Sequence, residues 1–235
     1  MSQQSAWLIT AKTNLHVGNE NTSNYGLIDK AVQRDVLTGL PCINSSSLKG
    51  AINEYCTQVA SMNVDDRLKI FGVDKGNDKS ETQKGACTFF DAEILLLPVQ
   101  NDTTLFHWVT TDSIIKRFKE RLDTFGLTIQ GVKDEVSLYE KIKELYHSKE
   151  IKNISDAELS EFCSDTELPI IARNRLEDGQ SVNLWYEQVL PPETVFYTLI
   201  LSDDYILSKA LNDEIIQIGA NATIGYGYCR LIKIM

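Results

Sequence analysis

Leu15-His16-Val17-Gly18, Gly26-Leu27-Ile28-Asp29, Val32-Gln33-Arg34-Asp35 and Thr38-Gly39-Leu40-Pro41, running into Ser45-Ser46-Ser47-Leu48-Lys49-Gly50, form the stretch on which the reading of this chain turns. Before it, Trp7 to Leu15 alternates well enough to predict an opening strand. Residues 16–26 are rich in turn formers, with Gly18, Asn19, Asn21, Asn24 and Gly26. The three serines then precede Leu48 to Tyr55, whose apolar spacing predicts a first helix capped by one of them. Such an order gathers serine hydroxyls, Lys49 and free backbone N–H groups at one helix start, an arrangement that favours anions. By position alone, Lys49 is more often a solvated surface residue and the serines no more than a cap.

The partner of this module lies at the far end, Ile218-Gly219-Ala220-Asn221-Ala222-Thr223-Ile224-Gly225-Tyr226-Gly227. Its glycines let backbone approach a ligand closely, and Tyr226 could stack on a base. A strand rather than a helix follows, so this is not a dinucleotide fingerprint, and a plain turn is the ordinary alternative. Asp29 is the carboxylate to single out, because it follows Leu27-Ile28 and precedes a cationic stretch. A single aspartate can bind a divalent ion or accept a proton from a ribose 2′-hydroxyl, although most aspartates are solvated or capping. His16, on the adjacent turn, can assist as acid or base or merely brace the loop. Arg34 either meets RNA or pairs with Asp35. Arg173 and Arg175 share one face of an extended run ahead of Trp185 and Tyr186, as an RNA-contacting edge or an ordinary charged hairpin. His107 and His147 have no such neighbours. No Ser-His-Asp ordering, Walker loop or metal-type His/Cys cluster is seen.

With 235 residues, 43% of them hydrophobic, the chain can bury one large core or two small ones. Its strongest apolar run, Ile94 to Val99, is strand-sized, so no membrane span is expected. The first residues lack the basic start and apolar stretch of a signal peptide, which makes a cytoplasmic protein the expectation. Five cysteines are scattered without a C-x-x-C pair and read as reduced, mostly buried thiols. The net charge of −10 argues at first against nucleic acid. Its distribution does not: residues 1–50 sum to +1 and residues 215–235 to +2, leaving −13 for residues 51–214. A neutral-to-basic groove on an acidic body is compatible with RNA, with weaker long-range attraction than a basic protein has.

Between the two ends, Cys87 to Val99 predicts a central strand, and Asp112 to Phe125 and Lys133 to Tyr146 predict helices of mixed charge. Ser155-Asp156-Ala157-Glu158 looks like a capped short helix. Residues 72–85 read as a mobile polar loop. Pro169 to Tyr186 is two extended runs around Glu177-Asp178-Gly179, a hairpin signal. Thr194 to Leu201 and Tyr228 to Ile234 are predicted strands, and Tyr205 to Asn212 a helix. Interleaved strands, helices and hairpins fit an α+β, ferredoxin-like core with helical insertions.

Taken together, these segments resemble the RAMP (repeat-associated mysterious protein) superfamily of CRISPR effector subunits, above all the repeated backbone subunit of the type III-B (Cmr) complex. Phe71-Gly72, Phe90-Asp91-Ala92-Glu93 with Leu97-Pro98-Val99, and Glu187 to Glu193 add to the motifs quoted above. The resemblance spans nearly the whole chain in order. It implies one RAMP domain over 1–235, with a ferredoxin-like (RRM-type) palm from both ends, insertions over roughly 60–86 and 112–168, and a projecting thumb hairpin over roughly 169–190.

Such subunits stack with further copies of themselves into a helical filament along a guide RNA, beside other subunits of the complex. An aspartate after the first strand, here Asp29, then cuts target single-stranded RNA at regular intervals with a divalent metal, Mg2+ or Mn2+. Ser45, Ser46, Ser47, Lys49 and the loop residues Gly219, Asn221, Thr223, Gly225, Tyr226 and Gly227 match guide contacts. Ala220 and Ala222 depart from the family, which commonly has a second glycine and often an acid there. Two competing readings are a non-catalytic RNA-binding scaffold and an unrelated enzyme with a small-molecule pocket around His16 and Asp29.

Overall fold

A computed structural model of the chain describes residues 3–18, 28–73, 83–146, 150–202 and 205–235. The opening strand, β1 (Gln3–Ala11), starts and ends earlier than its alternation suggests. Ala6, Trp7, Leu8 and Ile9 are all buried, so both faces of this strand are covered. A two-residue strand, β2 (Cys42–Ile43), leads into α1 (Ser45–Gln58), which buries Leu48, Ile52, Tyr55 and Cys56. The next segment holds α2 (Val64–Phe71), β3 (Gly72–Val73), β4 (Gln83–Lys84) and β5 (Thr88–Phe89). Most of the polar stretch 72–85 lies outside the described residues. The central strand β6 (Ala92–Gln100) follows, and β7 (Phe106–Thr110) pairs with it.

Both mixed-charge helices are present, as α3 (Asp112–Thr124) and α4 (Glu135–Leu145). A short strand, β8 (Ile151–Asn153), precedes α5 (Asp156–Phe162), whose capping box joins Ser155 and Glu158. The hairpin consists of β9 (Ile170–Glu177) and β10 (Gln180–Gln188). Asp178 and Gly179 at its tip both have positive φ, 50° and 79°, which fits a two-residue turn matched to strand twist. The chain closes with β11 (Val195–Ser202), α6 (Tyr205–Leu211), β12 (Ile215–Gln217) and β13 (Tyr228–Lys233).

One sheet runs β12-β13-β1-β11-β6-β7-β8, with β2 added on β6 and β5 on β11. Within it lie two interlocked strand-helix-strand halves, β1-α1-β6 and β11-α6-β13. The order β13-β1-β11-β6 places a strand of one half between the strands of the other, and every neighbour in that run is antiparallel. Everything from β7 to β10 is inserted between β6 and β11. Part of this insertion extends the sheet, because β8 pairs in parallel with β7. The first and last strands lie side by side, Ile9 opposite Leu231 and Ala11 opposite Cys229. That pairing delivers the loops beyond both ends to one edge of the molecule.

Candidate nucleic-acid interface and carboxylate site

Beyond the β1–β13 pair, the two chain ends are stitched backbone to backbone. Lys12 N donates to Tyr228 O at 2.7 Å, Gly227 N to Asn14 O at 2.8 Å, and Ala220 N to His16 O at 2.9 Å. Gly219 and Gly227 are required by this approach. Both have positive φ, 83° and 79°, and a Cβ would run into the carbonyl oxygen of His16 or of Ile218 respectively. Asn221 adopts the left-handed conformation at the start of a 3-10 turn, Ala222–Ile224. The turn exposes Ala222, Thr223, Ile224 and Gly225, whereas Tyr226 is half-buried. Across from it, Ser47, Gly50 and Ala51 of α1 join Gln217, Gly219 and Ala222 around an open groove of about 620 Å³.

The start of α1 corrects one expectation. The N-cap is Asn44, which makes no side-chain cap bond, and no serine fills that role. Instead, the Asp91 carboxylate accepts from Ser45 N at 2.6 Å, so a distant acid occupies part of the helix N-terminus. Lys49 is exposed and, with Ser45, Ser46 and Lys84, lines a second groove of about 350 Å³. Ser47 is therefore the serine that shares a groove with the glycine loop, while Lys49 stands on a neighbouring one.

Asp29 is exposed and sits at the root of the hairpin. Its Oδ2 accepts from Tyr186 N at 2.7 Å, and its own N–H donates to Tyr186 O at 3.0 Å, which fixes the carboxylate against β10. His16 is buried; its Nδ1 lies 2.7 Å from Gln188 O, so the ring braces the first turn against the same strand. The hairpin arm carries exposed Leu176, Val182 and Leu184. Arg173 is half-buried and its guanidinium reaches Glu187 Oε2 at 3.2 Å, whereas exposed Arg175 pairs with Glu177 at 2.6 Å.

Arg34 does not pair with Asp35. It donates to Asp165 Oδ1 at 2.8 Å and to Gly39 O at 3.0 Å, bridging the early turn to the segment after α5. Asp35 accepts from Thr38 N and Oγ1, both at 2.8 Å, with Arg117 3.8 Å away. Burial alone would raise its pKa, but the Thr38 hydrogen bonds and the Arg117 charge outweigh it and hold it below the ordinary 3.8. No disulfide joins any of the five cysteines. Burial pushes Cys42, Cys163 and Cys229 up to about 12, so these remain protonated and unreactive at neutral pH.

Among the described residues, no three His, Cys, Asp or Glu side chains gather as a metal site. No helix among them is long and apolar enough to cross a membrane. His147 and residues 19–27 lie outside the described residues. Motif reading quoted Glu187 only as the start of a matching segment and gave it no role; it is buried and lies where the first turn, the Asp29 segment, the hairpin and the glycine loop converge. Its signal was a charged residue at the point where the exposed hairpin pattern turns into the buried run Gln188-Val189-Leu190.

The structure is thus an α+β sheet whose two chain ends converge on a glycine loop, beside the first helix and an exposed aspartate. The RAMP superfamily profile matches residues 8–230, and the chain belongs to that superfamily. Among its relatives is the CRISPR system Cmr endoribonuclease Cmr4 of Pyrococcus furiosus, 29% identical over 261 residues that cover 88% of each chain. Solved structures share the fold. A type III-B Cmr-beta complex bound to cognate target RNA contains a chain with TM-score 0.74 and 22% identity, covering 99% of this chain and 97% of that one. The oligomeric Cmr4 crystal structure from Pyrococcus furiosus matches with TM-score 0.74 and 22% identity, covering 99% and 98%.

Proposed function

We propose that this chain is a backbone subunit of a type III-B CRISPR effector complex, holding guide RNA along a helical filament of its own copies and cutting complementary target RNA at regular intervals in the cytoplasm. The observation that carries the reading is the exposed Asp29 carboxylate, pinned by Tyr186 N–H at the root of a projecting hairpin and close in the fold to the docked chain ends. Kinship with Cmr4 over most of both chains supports it. The strand order β13-β1-β11-β6 with its two crossover helices is the ferredoxin-like palm, and the β9–β10 hairpin is the thumb.

The chemistry follows from position. A ribose 2′-hydroxyl attacks its own phosphodiester when the nucleotide is splayed into line, forming a 2′,3′-cyclic phosphate as the P–O5′ bond breaks and the 5′-oxygen takes a proton from water, and holding that geometry supplies much of the rate. Asp29 accepts the hydroxyl proton or orients the attacking oxygen, and Tyr186 N–H keeps its carboxylate aimed. Asp29 is the residue that would hold a hard divalent ion, Mg2+ or Mn2+, by its carboxylate, as no three His, Cys, Asp or Glu side chains gather among the described residues. Such an ion would neutralise charge building on the phosphate. The grooves lined by Ser47 and the glycine loop, and by Ser45, Ser46, Lys49 and Lys84, receive the guide backbone.

The test is Asp29→Ala in the reconstituted complex. Target cleavage is expected to vanish while guide loading and target binding stay at wild-type levels. Undiminished cutting would leave the chain a non-catalytic scaffold.

A further inference from the structure

Glu187 is an ionisable group for which the chemistry above has no use, and it is only 1% exposed. Carboxylates are seldom buried unless paired. This one faces groups from every segment that meets at the site, with Oε2 hydrogen-bonded and Oε1 in charge contact alone. Its Oε2 accepts from Asn221 Nδ2 of the glycine loop at 2.9 Å and from Arg173 of β9 at 3.2 Å. Its Oε1 lies 3.5 Å from His16 Nε2 and 4.0 Å from the ammonium of Lys30, the residue after Asp29. Lys30 and Arg173 also approach the Trp185 ring, 5.3 and 5.6 Å from its centroid, so both cations are held by Glu187 and by the indole together.

We propose that Glu187 is the positioning residue of the cleavage site: one buried carboxylate ties the Asp29–Lys30 segment, the hairpin root and the glycine loop into a single arrangement and so aligns Asp29 with the scissile phosphate. This rests on the reading of Asp29 as the cutting carboxylate. Glu187 is buried and acts through its neighbours, without touching RNA. Packed apolar residues in place of a buried ion pair are often neutral or stabilising, so net stabilisation alone does not account for burying this carboxylate. What it supplies is orientation, because four groups on separate elements converge on two oxygens. Misplacing a reacting group by about 1 Å can cost on the order of 100-fold in rate, which makes such a tie worth its desolvation.

The experiment compares wild type, Glu187→Gln and Asp29→Ala in the reconstituted complex, measuring target affinity and the single-turnover cleavage rate at saturating target. Glu187→Gln keeps the size and an acceptor for Asn221 but removes the charge. It is expected to slow cutting by on the order of 100-fold with target affinity unchanged. Wild-type cutting by Glu187→Gln beside an inactive Asp29→Ala overturns the positioning role and leaves the nuclease reading intact. Loss of target affinity in Glu187→Gln with an unchanged rate on bound target also overturns it, since that is what a merely structural residue does. Wild-type cutting by Asp29→Ala overturns the nuclease reading instead.

If Glu187→Gln does not assemble, amide hydrogen exchange on the isolated subunit decides. Protection lost together in 28–32, 170–176 and 219–227 supports the tie, and loss confined to one of these segments overturns it.

Discussion

Asp35 shows how much of the early module is held by single side chains. Its carboxylate draws in Thr38 N–H and O–H and faces Arg117, and it keeps the turn that presents exposed Val36 and Leu37 in one shape. Because its folded pKa is depressed below the ordinary 3.8, its contribution to stability is fully present above that value and is lost as pH falls through the folded pKa. Asp35→Asn is therefore expected to be less stable than wild type by an amount constant from neutral pH down to about 5, shrinking below about 4 as the wild-type carboxylate protonates. Denaturant unfolding at several pH values measures this, and a difference that grows toward acid would contradict it. Asp29 could be singled out from its neighbours in sequence, since an acid between an apolar pair and a basic stretch stands out. Glu187 could not, because its meaning lies in partners contributed by residues 16, 30, 173 and 221, which only folding brings together.

At the scale of elements, long periodic pieces and the short helices α5 and α6 were legible, whereas two- and three-residue strands were not. Helices α3 and α4 carry enough turns for their apolar stripe to be read, and the β9–β10 turn carries its own Asp-Gly signal. Strands β8 and β12 are three residues each, too short for alternation to register, and exist because a neighbouring strand offers them an edge. Helix α2 went unread although Asn63 caps it by accepting from Asp66 N. The cap of α1 was misread because its acceptor, Asp91, is 46 residues away. The glycine loop is the element whose docking matters most. Gly219→Ala adds a Cβ against the His16 carbonyl at a φ of 83°, so the loop should detach from the first turn. A destabilisation of about 1–3 kcal/mol is expected, measured by denaturant unfolding. An alanine variant as stable as wild type would mean that this docking does not constrain the loop.

For the whole molecule, the sheet topology makes the ends one surface. The first and last strands pair along Trp7–Ala11 and Cys229–Lys233, so the mildly basic termini meet on a body that carries the acidic excess. The charge distribution along the chain anticipated that separation, whereas the addition of β7 and β8 to the sheet edge left no trace in it. If the docked ends form the RNA-facing surface, guide RNA approaches the first helix and the glycine loop, and target approaches the hairpin root. Ultraviolet crosslinking of the assembled, guide-loaded complex, with peptides mapped by mass spectrometry, examines this directly. The expected result is guide crosslinks in 45–51 and 219–228 and target crosslinks in 28–30 and 170–188. Crosslinks concentrated on α3, α4 and α5, with the docked ends unmarked, would contradict it.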